Sequence, residues 1–201
     1  MKLWSMPSSG NSYKVRLALA LLGRECEIVD VEDSSPELSA AKAGGRLPFG
    51  KAPVLELEDG RLLPESNAIL CWLGEGTRFV PADPFRRAGM LAWMFWEQNQ
   101  HEGVIAVRAA LRSYPARRHL ATPERMADLL ERGHALLRVM EERLAAHDWL
   151  VGDAVSLADL CLYGYTHTAG SKGGFEMGRF PGIGRWLERI AALPGYKGLD
   201  E

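Results

Sequence analysis

A strand, a break, a helix and a second strand follow one another within residues 3–31, and this order limits the fold more than any other feature. Leu3, Trp4 and Met6 predict the first strand, and the run PSSGN, residues 7–11, interrupts it. Val15, Ala18, Leu19 and Leu22 then recur at helical spacing, with Gly23 placed to end the helix. The stretch CEIVDV, residues 26–31, predicts the second strand. With a helix between them the two strands pair in parallel through a crossover. After an irregular connection over residues 32–50, holding at most a turn or so of helix, APVLEL forms a third strand. The tight-turn signal Glu58-Asp59-Gly60-Arg61 returns the chain as a fourth strand through Leu62 and Leu63. A helix follows over Ser66–Gly74, so the first part reads βαβ and then ββα.

The pattern changes after that point. Pro81 and Pro84 mark a linker, and everything beyond it reads as helix. One long helix is expected from about Phe85 towards Arg112, carrying Trp93, Phe95 and Trp96 around more than one face. Thr122-Pro123-Glu124 starts another, with Leu130, Leu137, Met140 and Leu144 as its buried stripe. Ser156 and Asp159 have capping-box spacing, and Ile183, Trp186, Leu187 and Ile190 form a last amphipathic helix stopped by Pro194-Gly195. The fold class is α/β plus all-α. Boundaries are expected at 1–76, a linker at 77–86, and an all-helical domain at 87–201.

Composition excludes several functions. At 201 residues and 47% hydrophobic content the chain has enough apolar material for a real core. Its formal net charge of -2, without a basic block, argues against nucleic acid as a partner. The apolar stretches are too interrupted for a membrane span, no signal-peptide pattern is present, and a cytoplasmic chain is expected. Three scattered cysteines, Cys26, Cys71 and Cys161, fit neither a disulfide scaffold nor a metal site, and Cys26 and Cys71 are expected as buried structural thiols.

Three short clusters carry candidate chemistry. In PSSGN, a strand ends where a helix begins, so unpaired backbone N–H groups and the positive end of the helix dipole are presented together. The run is either an ordinary cap or a cradle for an anion. It has no Lys-Ser or Lys-Thr after a Gly-rich run and no GxSxG setting, and His101, His119, His134, His147 and His167 all lie in the helical half. Its serines are therefore read as hydrogen-bond donors rather than nucleophiles. In GKAPVLEL, Pro53 opens a strand and holds Ala52 extended, with a backbone able to pair with an extended peptide. In PESNAI, Ser66 is placed to cap a helix, and Glu65 beside it either complements the helix end or receives an ammonium.

Taken together, SSGNSYKVRLAL, KAPVLELEDGRLLPES and the helical half with VGDAVSLADLCLYGY resemble the cytosolic glutathione S-transferase family over nearly the whole chain. The resemblance implies a thioredoxin-like N-terminal domain, a C-terminal helical bundle domain, and a homodimer. It implies a cis bond at Pro53, with Ala52 pairing with the cysteinyl part of glutathione. Glu65 and Ser66 would hold the γ-glutamyl end, and Lys51 the glycyl end. Ser9 matches the catalytic serine of zeta-like classes and the cysteine position of the beta class. Asn11 is a rival donor, and Ser8 a third choice. The zeta pattern SSCSW stands here as SGNSY, so Gly10 and Asn11 depart from it. Glutathione is implied as co-substrate, with no metal.

The energetics are compatible with such a site. Lowering a thiol pKa by about two units from about 8.5 requires roughly 2.7 kcal/mol of selective thiolate stabilisation. One charge-assisted hydrogen bond supplies about 1.5–3 kcal/mol, and a helix dipole about 0.3–1 kcal/mol. A small hydrophobic electrophile is the expected second substrate, against a wall of Trp93, Trp96, Arg108 and Tyr163 where the domains meet. A glutathione-dependent disulfide or peroxide reductase and a non-catalytic glutathione-binding module are the alternatives.

Overall fold

The computed structural model describes residues 1–201. They divide into two compact units: Met1–Val80 together with Ala191–Glu201, and Pro81–Ile190.

The first unit contains β1 (Lys2–Ser5), α1 (Gly10–Leu21), β2 (Glu27–Asp30), α2 (Pro36–Ala43), β3 (Val54–Glu56), β4 (Leu62–Pro64) and α3 (Ser66–Gly74). The sheet order is β2-β1-β3-β4. β1 runs parallel to β2 with Leu3 opposite Ile28, and antiparallel to β3 with Leu3 opposite Leu55. The remaining pair, β3 and β4, is antiparallel. Leu3, Val15, Leu55, Ile69, Leu70 and Leu73 are fully buried, and α1 packs on α3. A second apolar cluster joins Val31, Leu38, Ala41, Leu47 and Val54. The connection over residues 32–50 is more ordered than expected. Ser35 caps α2 by accepting from Leu38 N–H at 3.0 Å, and Pro36 begins the helix. Only Leu38 and Ala41 of α2 are buried, so it carries almost no periodic signal.

The pattern assigns the chain end to the helical half, but residues 191–201 belong to the first unit. The Tyr13 hydroxyl donates to the Lys197 carbonyl at 2.9 Å, and Arg16 donates to the Leu199 carbonyl at 3.1 Å. Gly195, at φ +84°, passes so close to α1 that a Cβ there would lie 3.0 Å from the Ala20 carbonyl oxygen. The Lys197 and Leu199 carbonyls and the Tyr196 hydroxyl, 3.3 Å from that of Tyr13, tie the tail to α1.

The second unit contains α4 (Pro84–Trp96), α5 (Glu102–Ser113), α6 (Pro123–Leu144), α7 (Leu157–Thr166) and α8 (Pro181–Ala191). The long helix expected from about Phe85 towards Arg112 is present as one continuous helical run, α4 and α5 joined by a π-helical turn, Glu97–His101. Glu97 and His101 are both buried there. Helix α7 meets them: Cys161 Sγ donates to Glu97 at 3.3 Å, and Thr166 Oγ1 bonds His101 Nε2 at 3.1 Å. The α6 stripe buries Leu129 rather than Leu130, with Gly133, Leu137, Met140 and Leu144. Gly133 is required by packing, since a Cβ there would sit 2.2 Å from the Phe175 ring.

Asp159 is the polar centre of this unit. Its fully buried carboxylate accepts from Leu150 N–H at 3.0 Å, Ser156 N–H at 2.8 Å, the Ser156 hydroxyl at 2.9 Å and Trp186 Nε1 at 3.0 Å. It closes the capping box of α7 and ties it to α8. Burial pushes the carboxyl pKa up, and these four donors oppose that shift. Asp159→Asn places an amide donor among groups that are themselves donors. It is expected to lower the unfolding free energy by about 3 kcal/mol, read as a lower urea midpoint at unchanged slope.

Candidate functional site

The PSSGN turn is held by atoms on three sides. Met6 N–H donates to Ser12 Oγ at 2.9 Å, and Ser9 N–H donates to the Met6 carbonyl at 3.0 Å. Arg16 reaches under the turn to Ser5 Oγ at 3.0 Å and the Pro7 carbonyl at 3.2 Å. Burial lowers the pKa of this guanidinium, opposed first by Asp30. Glu32 fixes the outer side by accepting from the Ser8 hydroxyl at 2.6 Å, Ser8 N–H at 3.0 Å and Asp33 N–H at 2.7 Å.

These contacts separate the two serines. Ser8 gives its hydroxyl hydrogen to a carboxylate, which makes it a fastener of the turn. Ser9 is the N-cap of α1, and its hydroxyl only accepts, from Ser12 N–H at a long 3.5 Å. A hydroxyl has both a donor and lone pairs, so accepting there leaves its hydrogen to turn towards a ligand.

Helix α3 begins beside α1. The Ser66 hydroxyl, in a residue only 4% exposed, donates to Asn11 Oδ1 at 3.1 Å and so joins the first turns of the two helices. Neither α1 nor α3 has an acidic residue in its first turn, and α4 and α8 lack one too, whereas α2, α5, α6 and α7 carry Glu37, Glu102, Glu124 and Asp159 there. Ser66, expected as the cap of α3, is instead its first residue; Glu65 holds the cap position, and no side chain caps the helix. Two positive helix ends therefore start side by side without acidic first-turn residues, a setting that favours an anion. The exposed Glu65 stands just outside α3 at φ 73° and ψ 113°. A β-carbon-bearing residue in that region stores about 1–3 kcal/mol of strain.

The Ala52–Pro53 bond is cis. Val54 is paired with Trp4 on one side and Pro64 on the other, so the chain leaves the ladder at Pro53. Pro53 is buried, Ala52 half-buried and Lys51 exposed. Of the residues expected from sequence in this unit, Asn11 and Ser66 touch directly, and Ser9 caps the helix that carries Asn11.

In the second unit, Trp93 and Trp96 are half-buried and meet edge to face, centroids 5.4 Å apart at 84°. Tyr163 is buried, stacked on His167 at 5.0 Å and 7°, with its edge towards Trp186 at 5.9 Å. Arg108 is buried, and its guanidinium donates to the Gly173 carbonyl at 2.8 Å and to the Met126 carbonyl. Burial lowers its pKa, and Arg112 adds to that shift. Arg108 thus ties α5 to α6 and to the turn around residue 173. Cys26 and Cys71 are half-buried rather than buried, and desolvation pushes both thiols up. No group of three or more His, Cys, Asp or Glu side chains is arranged to hold a metal.

The glutathione S-transferase N-terminal domain family matches residues 3–77, and the corresponding C-terminal domain family matches residues 104–194. The crystal structure of a glutathione S-transferase from Pseudomonas fluorescens Pf-5 superposes with a TM-score of 0.93 at 40% identity, covering 100% of this chain and 98% of that one. The chain belongs to the glutathione S-transferase family. A glutathione S-transferase structure from Xanthobacter autotrophicus Py2 is 38% identical, with TM-score 0.90 and coverage of 98% and 96% of the two chains. The maleylacetoacetate isomerase of Rhizobium meliloti strain 1021 is 31% identical, over 96% of this chain and 85% of its own. The glutathione S-transferase fold of this chain thus has its thioredoxin-like part in the first unit and its helical part in the second.

Glu32 and Arg16 are the residues that sequence reading missed. Glu32 sits in the irregular connection, and Arg16 lies within a helix whose pattern shows only apolar spacing. Glu65 offers a direct test of stored strain. Glu65→Gly removes the β-carbon from the positive-φ position and is expected to raise stability by about 1 kcal/mol, while glutathione affinity falls. Matched urea unfolding and calorimetric titration check both signs.

Proposed function

We propose that this chain is a glutathione transferase in which the start of α1 holds the glutathione thiolate, with Ser9 as its principal donor and Asn11 beside it. The carrying observation is the pair of adjoining helix N-termini without acidic first-turn residues, joined by the Ser66–Asn11 bond at 3.1 Å. In this reading the γ-glutamyl carboxylate rests on the N–H groups that open α3, and Glu65 receives the ammonium. Ala52 pairs by backbone with the cysteinyl residue next to Pro53, and Lys51 meets the glycyl carboxylate. The neutral Ser9 hydroxyl donates a hydrogen bond to the sulfur anion, which forms a bond to carbon as the leaving group departs with its electron pair. Serine keeps its proton throughout.

The electrophile is proposed to be small and apolar, with Trp93, Trp96 and Tyr163 of the second unit forming its wall. Arg108 acts less directly, since its guanidinium is engaged on two carbonyls and shapes the turn near residue 173. The domain boundaries 1–76, 77–86 and 87–201 describe the proposed division of labour, with the tail at 191–201 serving the first unit. A homodimer is supported by large exposed apolar residues: Phe49 at 66% and Trp72 at 43% in the first unit, and Phe85 at 86% and Phe95 at 64% in the second. A cytoplasmic location and a role in detoxification are part of this proposal; the three cysteines are free, as in reducing compartments, and no helix is long and apolar enough to cross a membrane.

An isomerase acting on a small unsaturated acid is the second reading, favoured by the 31% identity to the Rhizobium meliloti enzyme. Against it, Gly10 and Asn11 stand where the zeta pattern has serine and cysteine.

The thiolate absorbance of bound glutathione, titrated against pH, tests the donor assignment. The native chain is expected to titrate about two units below the free thiol value of about 8.5. Ser9→Ala is expected to raise that value by roughly one to two units, the equivalent of one charge-assisted hydrogen bond. Because the reactive form is the anion, kcat/KM for an aryl halide rises with pH through the bound thiol pKa. The variant's profile therefore shifts to higher pH. An unchanged titration in Ser9→Ala would remove Ser9 from the site.

A further inference from the structure

The latter half of α1 walls a cavity of about 180 Å³ that the glutathione reading leaves unused. Tyr13, Arg16, Leu17 and Ala20 recur at the three- and four-residue spacing of one helix face, and all four line it. Cys26 and Ile28 line it from the side of β2, the edge strand of the sheet, and Lys197 and Gly198 line it from the tail. That tail is anchored, because the Tyr13 hydroxyl donates to the Lys197 carbonyl at 2.9 Å and Arg16 to the Leu199 carbonyl at 3.1 Å. Gly23, at φ 61°, turns the chain out of α1, and Arg24 N–H returns to the Leu19 carbonyl at 3.0 Å, which leaves Arg24 at the cavity.

Three cations line this space, and only one of them is engaged. Arg16 donates to Ser5 Oγ, the Pro7 carbonyl and the Leu199 carbonyl, and Asp30, Asp200 and Glu32 support its charge. Arg24, half-buried, and Lys197, exposed, form no ion pair and no side-chain hydrogen bond. The acidic residue of the lining, Glu201, is turned onto the Gly198 N–H at 2.7 Å. We propose that this cavity is a binding site for a small monocarboxylate with an apolar body, its carboxylate held by Arg24 and Lys197 and its body laid against Leu17, Ala20 and Ile28.

Size and chemistry set the ligand class. An apolar cavity of about 150 Å³ takes one benzene ring, so this space holds a single ring or a short branched chain. Pockets for drug-sized ligands run from about 300 to 1,000 Å³, which leaves no room here for a tripeptide. Ile28 is 42% exposed, and an apolar body covering it removes that surface from water. A guanidinium offers a carboxylate two parallel N–H groups, and the lysine adds a point charge. Desolvation pushes the Cys26 thiol up, so it stays neutral and adds a soft apolar contact without repelling an anion. Inorganic phosphate would meet the cations but leave the apolar wall wet.

Calorimetric titration of the full chain with benzoate, isovalerate, benzyl alcohol and inorganic phosphate tests the site. Benzoate and isovalerate are expected to bind saturably, and benzyl alcohol and phosphate about tenfold more weakly or worse. Arg24→Gln and Lys197→Gln are each expected to weaken benzoate about five- to tenfold. Ala20→Leu fills the cavity and is expected to abolish binding; should it fold poorly by circular dichroism, Ile28→Ser, at an exposed position, is expected to weaken benzoate several-fold. Saturating benzoate is expected to slow alkylation of Cys26 by iodoacetamide, read by peptide mass mapping, while Cys71 reacts at its usual rate. No saturable binding of either carboxylate overturns the proposal. Benzoate binding that survives Arg24→Gln and Lys197→Gln unchanged, with Cys26 unprotected, places the carboxylate elsewhere and overturns it too. Phosphate binding as tight as that of benzoate overturns the ligand class.

Discussion

The bond from Ser66 to Asn11 joins the first turns of α1 and α3, two helices that pack on each other. Each of those helices starts with unsatisfied N–H groups, and bringing two such ends together is unfavourable unless something negative shares the space. The chain does not fill that space with an acidic residue in the first turn of either helix. The groups at these starts are Ser9 at the cap of α1, Asn11 on its first turn and Ser66 as the first residue of α3, while Glu65 at the cap position of α3 makes no side-chain cap bond. A helix end satisfied by its own carboxylate is stable and inert. One left to neutral donors keeps its attraction for a ligand.

Holding such an arrangement needs support that is itself silent in the chemistry. Glu32 takes the Ser8 hydroxyl and backbone, Arg16 reaches Ser5 and Pro7 from beneath, and the chain end closes over Arg16 through Leu199. The strain at Glu65 belongs to the same economy, because a residue held at positive φ persists only where its neighbours fix it. In the second unit the equivalent anchor is Asp159, whose four donors come from two segments and a distant tryptophan. The π-helical turn at Glu97–His101 is a third fixed point, where α7 meets buried polar groups on the inside of a helix.

How much of this was readable in advance follows from how local each cause is. The βαβ start, the hairpin at Asp59-Gly60, and the caps at Thr122 and Ser156 depend on neighbours in sequence, and the structure has them where the pattern places them. The π-helical turn at residues 97–101 lies where α7, sixty-odd residues further on, meets the helix, and nothing in the α4 pattern marks it. Helix α2 carries no more than a turn's worth of pattern because only two of its residues face a core. The Leu129 register of α6 was missed because Gly133, which sets it, serves the Phe175 ring rather than the helix. At the site, Ser9, Asn11 and Ser66 were visible as polar residues at helix starts. That Ser8 faces Glu32, and that Ser66 touches Asn11, are facts of tertiary packing that no window of sequence contains.

The most direct measurement of the central claim is a crystal structure of the native chain with glutathione bound. The account predicts the sulfur within hydrogen-bonding distance of Ser9 Oγ, about 3.5 Å or less, with the γ-glutamyl carboxylate on the backbone N–H groups that open α3. A sulfur that lies beyond about 5 Å from Ser9, Asn11 and the amides at the start of α1 would contradict it.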